Sequence, residues 1–297
     1  MQRLKRPLHA VLPDSVALVL FYRKANGRFP RIFPPASFTD KVLWRAAFDR
    51  RPILAQLSDK ARAREYVIAS LGAEAVPKLH FSTTLPRTIP FDALPRRFVV
   101  KPTHASGWVA LVRDRSRLDE AALIESCEQW LQRSYYALSR EWVYKDAAPR
   151  IHVEEFIGDD GIDAPHDYKI FVFAGAAFMV QVDVGRFTKL RRAFYSRDWR
   201  KLDARMAVEP MLEAALRPPF LDDMLEVAER LGEGFDFLRV DCLASSTRFY
   251  VNELSVTPGR GLCPFQPASF DLELGARWQL PPRASARAGR LAPSAAP

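Results

Sequence analysis

The chain reads as an α+β fold, and three observations point there. Segments with helical spacing and short strand-like runs follow one another without a regular βαβ order. Consecutive strand-like runs lie close enough to pair antiparallel, as in "DYKIFVFAGAAFMVQVDVGR" and "FLRVDCLASSTRFYVNELS". With 297 residues, the chain can bury a sizeable core in one large domain or two to three subdomains.

The elements follow in order. Residues 1–57 are rich in Arg, Pro and aromatics, with a helix expected after Ser37. "LSDKARAREYVIASLG" predicts a helix capped by Ser58 or Asp59 and stopped at Gly72. "RRFVVKP" predicts a strand ending at Lys101, and "THASGWVALVRD" a small-residue turn with a strand behind it. Leu123, Ile124, Cys127, Leu131 and Tyr135 keep helical spacing from about 119 to 138. "RIHVEEFIG" is a strand breaking into a loop. A hairpin with its turn at Ala174-Gly175 follows, then a helix through Met224, Val227, Ala228 and Leu231 that ends at Gly232. The divisions expected are an N-terminal segment 1–57, a subdomain 58–156, a second subdomain 157–281 and a disordered tail 282–297 without core formers. There is no internal repeat.

The net charge of +9 invites an anionic partner, but ten lysines against thirty-four arginines fit a GC-rich genome equally well. Cys127, Cys242 and Cys263 form no CxxC pair, so free thiols in a reducing, cytoplasmic setting are expected. The apolar run Val16–Phe21 is too short for a signal-peptide core. No run approaches the ~20 apolar residues of a membrane span.

Charges inside the last two strands raise the functional question. Arg239 and Asp241 share one strand face, and Glu253 and Ser255 share another. Buried charges need partners. Antiparallel pairing across the turn would set Asp241 beside Glu253, a hard-oxygen pair suited to Mg²⁺ with phosphate oxygens, with Arg239 nearby to hold an anion. The same residues could instead form a structural arginine–carboxylate cluster. Lys60 begins a helix, where a cation opposes the dipole. Lys101 precedes small residues that let backbone N–H groups approach a phosphate, and Lys169 interrupts an apolar strand. Glu154 and Glu155 end a strand, which suits either nucleotide recognition or an exposed acidic turn.

In order, these motifs resemble the ATP-grasp superfamily, and more narrowly the TupA-like ATP-grasp family associated with teichuronic acid and other cell-surface polysaccharide synthesis. The matching stretches are "FTDKVLWRAAFDRRPILAQLSDKARAREYV", "FVVKPTHASG", "EWVYKDAAPRIHVEEFIG", "DYKIFVFAG", "FYSRDW", "FLRVDCL" and "FYVNELSVTPG", over roughly residues 20 to 275. The resemblance implies a nucleotide held between two α+β subdomains. Lys101 would hold the α- and β-phosphates, and Lys60 would add a second positive charge. His104, Ser106 and Gly107 would belong to the phosphate-covering loop. Glu154, Glu155, Phe156 and Ile157 would form the adenine hinge. Asp167 is a candidate for ribose, with Lys169 beside it. Asp241 and Glu253 would bind Mg²⁺, with Ser255 where many relatives carry Asn. Arg239 and the backbone near Gly259 would stabilise the transition state. Ala105 replaces a common glycine, which would stiffen a loop needing positive φ.

The function this implies is an ATP-dependent, ADP-forming carboxylate–amine ligase working through an acyl phosphate. Its substrates would be a small carboxylate and an amine or sugar. A kinase on the same fold, a basic nucleic-acid-binding protein and a non-catalytic scaffold are the alternatives. No RRM or KH signature supports nucleic acid.

Overall fold

The computed structural model describes residues 12–158, 166–186 and 188–282, so the tail from residue 283 on lies outside them. The chain folds in the order α1 (Asp14–Asn26), α2 (Phe38–Phe48), α3 (Pro52–Ser58), α4 (Lys60–Leu71), β1 (Leu79–Thr83), β2 (Phe98–Pro102), β3 (Ala110–Val112), α5 (Glu120–Gln132) and α6 (Tyr135–Ser139). It continues through β4 (Ile151–Glu155), β5 (His166–Phe173), β6 (Ala176–Val184), β7 (Arg191–Ser196), α7 (Leu221–Gly232), β8 (Phe237–Ala244), β9 (Phe249–Ser255) and α8 (Ala268–Arg277).

The strands form two sheets, ordered β1-β4-β2-β3 and β7-β6-β5-β8-β9. Every pairing in both is antiparallel. The β5–β6 turn falls at Ala174-Gly175, both at positive φ, as expected. Ser37 caps α2 by accepting from the Asp40 amide. Asp59, not Ser58, caps α4, accepting from the amides of Ala61 and Arg62.

One expectation changes. The helix foreseen over 119–138 is two helices, because Arg133 takes extended backbone and Ser134 caps a new start by accepting from the Ala137 amide. A serine directly ahead of a helical run is a start signal that the apolar spacing overrode. The break sends Tyr135 away from the α5 stripe and against Trp108 and Tyr144, with ring centroids 5.8 and 4.8 Å away. Strands β1 and β7 are additions that the sequence pattern did not assign.

The large sheet carries a core on each face. One face buries Tyr168, Ile170, Val172, Val180 and Val240 against Leu221, Met224, Leu225, Ala228 and Leu231 of α7. Each such side chain contributes roughly 1.5–3 kcal/mol by leaving water. The other face is aromatic: Phe171, Phe173, Phe194 and Phe237 pack with Phe38 of α2 and Trp278 beyond α8. Arg45 of α2 crosses this core, donating to the carbonyls of Phe237 and Val256, pairing with Asp236, and stacking 4.4 Å from the Trp278 ring. Helix α8 approaches α2 so closely that a Cβ on Gly275 would lie 2.1 Å from the Ala36 carbonyl oxygen. The smaller sheet packs its own core, Phe98, Val100, Ile151 and Val153, against Leu123 and Cys127 of α5.

Candidate active site

Alternation along the central strands turns the aromatic face into a charged one. On β5 the residues that share a face run Phe173, Phe171, Lys169, Asp167, and on β8 they run Phe237, Arg239, Asp241. Register then builds two cross-strand rows. Gln181, Lys169, Asp241 and Glu253 stand opposite one another, and so do Arg192, Asp183 and Asp167. The side-by-side placement of Asp241 and Glu253 is therefore a product of pairing, as the sequence suggests.

The charges are not equally engaged. Arg239 grips Asp241 with two bonds, Nε to Oδ1 at 2.6 Å and Nη2 to Oδ2 at 2.7 Å. Lys169 pairs with Asp167 and lies 3.7 Å from both Asp183 and Asp241. Burial pushes the Asp241 carboxyl up, while Arg239 and Lys169 pull it back. Glu253 makes no ion pair among the described residues. Burial would push it up as well, but Lys60, Arg239, Arg186 and Lys101 outweigh burial and hold it below the usual carboxylate range. The structural cluster is thus real for Arg239 and Asp241 and leaves Glu253 out.

Two cavities meet at Glu253. The first is a cleft between the sheets, lined by Lys60, Lys101, Gly107, Glu154, Glu155, Phe156, Ile157, Asp167, Asn252 and Glu253, with Val99, Leu111 and Leu243 as apolar walls. The second, of about 330 Å³, is lined by Ser106, Lys169, Arg239, Asp241, Glu253, Ser255 and Gly259, with Tyr135, Glu141, Tyr144, Thr257 and Arg260. Glu253 and Arg186 belong to both.

In the first cleft, Lys101 lies 2.7 Å from Glu154 Oε2 and donates to Asn252 Oδ1 at 3.1 Å. Burial would push Glu154 up, but Lys101 and His152 hold it down at about 2. Asn252 reaches this side because β9 carries a bulge: Asp241 pairs with Glu253 while Cys242 pairs with Val251, leaving Asn252 as the extra residue. Lys60 donates from Nζ to the Ala105 carbonyl and from its amide to the Thr103 carbonyl at 3.0 Å, so α4 anchors the small-residue loop. Burial pushes the Lys60 ammonium down, opposed by Glu253. Asp167 Oδ2 accepts from Arg186 Nη1 at 2.8 Å, and its Oδ1 is buried without a hydrogen-bond partner among the described residues.

His104 differs from expectation, because it lies on neither cavity. Its Nε2 is 3.1 Å from the Trp130 carbonyl and 3.2 Å from that of Arg133, and burial pushes the ring toward its neutral form. It pins the loop to the end of α5. Ala105 is no obstacle, since in this loop only Gly107 takes positive φ, at 80°. Sequence reading missed Asn252, Glu141, Arg186, Tyr135, Tyr144 and Arg260. Asn252 and Glu141 lay inside quoted motifs, and only the bulge and the α5–α6 break turn them toward the cavities. Arg186 and Arg260 follow glycines in loops, where strand alternation gives no signal.

The chemistry of the donors bears on a metal. Glu253 offers an unpaired hard oxygen ligand, which suits Mg²⁺. Asp241 could contribute only by sharing its oxygens with Arg239, and Ser255 offers a hydroxyl on the same cavity.

A family model described as TupA-like ATPgrasp matches residues 40–279. That places the chain in the ATP-grasp superfamily, and within it the chain belongs to the TupA-like ATP-grasp family. No curated protein matches. Among solved structures, D-alanine–D-alanine ligase from Bacillus anthracis complexed with ATP is 17% identical, over 70% of this chain and 58% of that one, with a TM-score of 0.42. The ATP-grasp ligase PsnB, complexed with a phosphomimetic variant of its minimal precursor, Mg and ADP, is 15% identical, over 81% and 66%, with a TM-score of 0.40. PurK, an N5-carboxyaminoimidazole ribonucleotide synthetase in its ADP complex, is 14% identical, over 69% and 46%, with a TM-score of 0.45. The chain thus spans under two thirds of the length of each. No helix among the described residues is long and apolar enough to cross a membrane.

Proposed function

We propose that the chain is an ATP-dependent, ADP-forming ligase that joins a small carboxylate to an amine-type nucleophile. The observation that carries this reading is the meeting of two differently lined cavities at Glu253, ringed by Lys60, Lys101, Arg186 and Arg239. ATP would lie in the cleft between the sheets, its base between Val99, Leu111 and Leu243 and along residues 154–157. The free oxygen of Asp167 would accept from a ribose hydroxyl. Lys101 and Lys60 would hold the phosphates, with the Gly107 amide as a further donor. The γ-phosphate would then point through the junction into the second cavity. A substrate carboxylate there attacks it, giving an acyl phosphate and ADP, and the nucleophile displaces phosphate. Arg239 and the backbone at Gly259 would stabilise charge on the transferring group. Mg²⁺ would be held by Glu253, with Asp241 and Ser255 beside it, and when bound would neutralise phosphate charge. The TupA-like membership supports a carboxylate or sugar from cell-surface polysaccharide synthesis, and three free cysteines support a cytoplasmic setting.

The test is a screen for ADP release over candidate carboxylates and amines. A ligase releases phosphate only when a carboxylate and a nucleophile are both present. A stable phosphorylated product instead would establish a kinase on the same fold.

A further inference from the structure

The second cavity holds two charged side chains that phosphoryl transfer does not use. Glu141 follows α6 and is 3% exposed. Its Oε1 accepts from Thr257 Oγ1 at 2.6 Å, and it makes no ion pair among the described residues. Arg260 lies in the loop after β9 and makes none either. Its φ of 58° sits between Gly259 at 58° and Gly261 at 66°, a left-handed run that an arginine adopts only under constraint. Glu141 and Arg260 feel each other electrostatically but are not within ion-pair distance. Tyr135 and Tyr144, edge to face at 4.8 Å, also line this space. Opposite charges on one cavity that do not bridge each other leave room for a ligand carrying the same charges reversed.

We propose that this cavity binds the nucleophile as an amino-acid-type zwitterion, its amine on Glu141 and its carboxylate on Arg260. The inference rests on the ligase reading above. Thr257, Ser139, Arg260, Tyr135 and Tyr144 are the groups around Glu141, and Glu253 lines another part of the same cavity. Burial pushes Glu141 up to about 7, against the pull of Thr257 and Arg260, so it can take and release a proton near neutrality. The ammonium gives one proton to Glu141 and exposes its lone pair. The nitrogen then bonds to the acyl carbon, the C–O bond to phosphate breaks with its electron pair, and the second proton leaves with the phosphate. Glu141 returns its proton to water.

The experiment compares glycine, both alanine enantiomers, serine, glutamate and lysine, by calorimetry and thermal shift on the full chain. Each is paired with the amine lacking its carboxylate and the hydroxy acid lacking its amine. At least one amino acid should bind, and either partial analogue should bind at least tenfold more weakly. Glu141→Gln should weaken amino acid binding tenfold or more, with ATP affinity unchanged, and Glu141→Asp should restore part of it. Should Glu141→Gln fail to fold, Arg260→Ala on its half-buried loop serves, with the same expected loss. Equal binding of an amine lacking the carboxylate, an unchanged Glu141→Gln, or no amino acid binding at all overturns the proposal. ATP binding on the same samples separates the two readings: a chain that binds ATP but no amino acid loses only this proposal, and one that binds no ATP loses the ligase reading.

Discussion

At the scale of single residues, pairing decides what each charge is for. Lys101 has two protein acceptors, Glu154 and Asn252, at the edge of the cleft, and the proposed function gives its charge to a phosphate there. Lys101→Ala should weaken ATP binding by about ten- to over a hundredfold, from the roughly 1.5–3 kcal/mol of a charge-assisted contact. Calorimetry on the folded variant reads this directly, and unchanged affinity would remove Lys101 from the site. Glu253 is the opposite case, an acid among four cations that makes no ion pair among the described residues. Its carboxyl is held low, so its charge stabilises the fold above the ordinary carboxylate range, and that contribution disappears as pH falls below it. Glu253→Gln should lose ATP turnover by orders of magnitude and some urea stability at pH 7, with the stability gap closing in acid. A variant more stable than wild type at pH 7 would mean that repulsion from Asp241 dominates instead. Glu141 runs the other way. Its raised value means that it stabilises below about 4.5 and loses that contribution as pH rises toward 7. Glu141→Gln should therefore flatten the fall in stability between pH 4.5 and 7, by up to about 3 kcal/mol.

At the scale of elements, what could be read from sequence was whatever follows a period. The β5–β6 hairpin, the α4 cap region and the opposition of Asp241 and Glu253 all follow from alternation, turn chemistry or capping residues. What could not be read depends on breaks in period. The break after Gln132 and the bulge at Asn252 each interrupt a repeat, and β1, half-buried along four of its five residues, lacks the apolar run that marks β2. Close approach between helices is equally silent in sequence. Gly275→Ala would drive a methyl group into the Ala36 carbonyl, so α8 must move off α2. The expected cost is about 1–3 kcal/mol, as for other overpacked sites, read as a lowered urea midpoint with nucleotide affinity retained.

At the scale of the whole molecule, the two sheets line different halves of one cleft. The smaller gives Lys101 and residues 154–155, and the larger gives Asp167, Asn252 and Glu253. A ligand that touches both ties their unfolding together. ATP at a hundredfold excess over its Kd should add about 2.7 kcal/mol, or roughly 4 °C in Tm for a chain of 297 residues. Differential scanning calorimetry that finds no shift with ATP would mean that the cleft does not take nucleotide.

The bulge at Asn252 has a further consequence for how this chain tolerates insertions and deletions. Deleting one residue from a β-strand normally turns every later side chain to the wrong face. Here the ladder already contains one residue too many. Removing Asn252 would join Val251 to Glu253 and leave Cys242 opposite Val251 and Asp241 opposite Glu253, a regular antiparallel ladder with every apolar residue on its present face. Such a deletion would mend the sheet while taking away an acceptor that positions Lys101. A lineage that lost this codon would keep a sound fold and, if the cleft holds nucleotide as proposed, give up part of that hold.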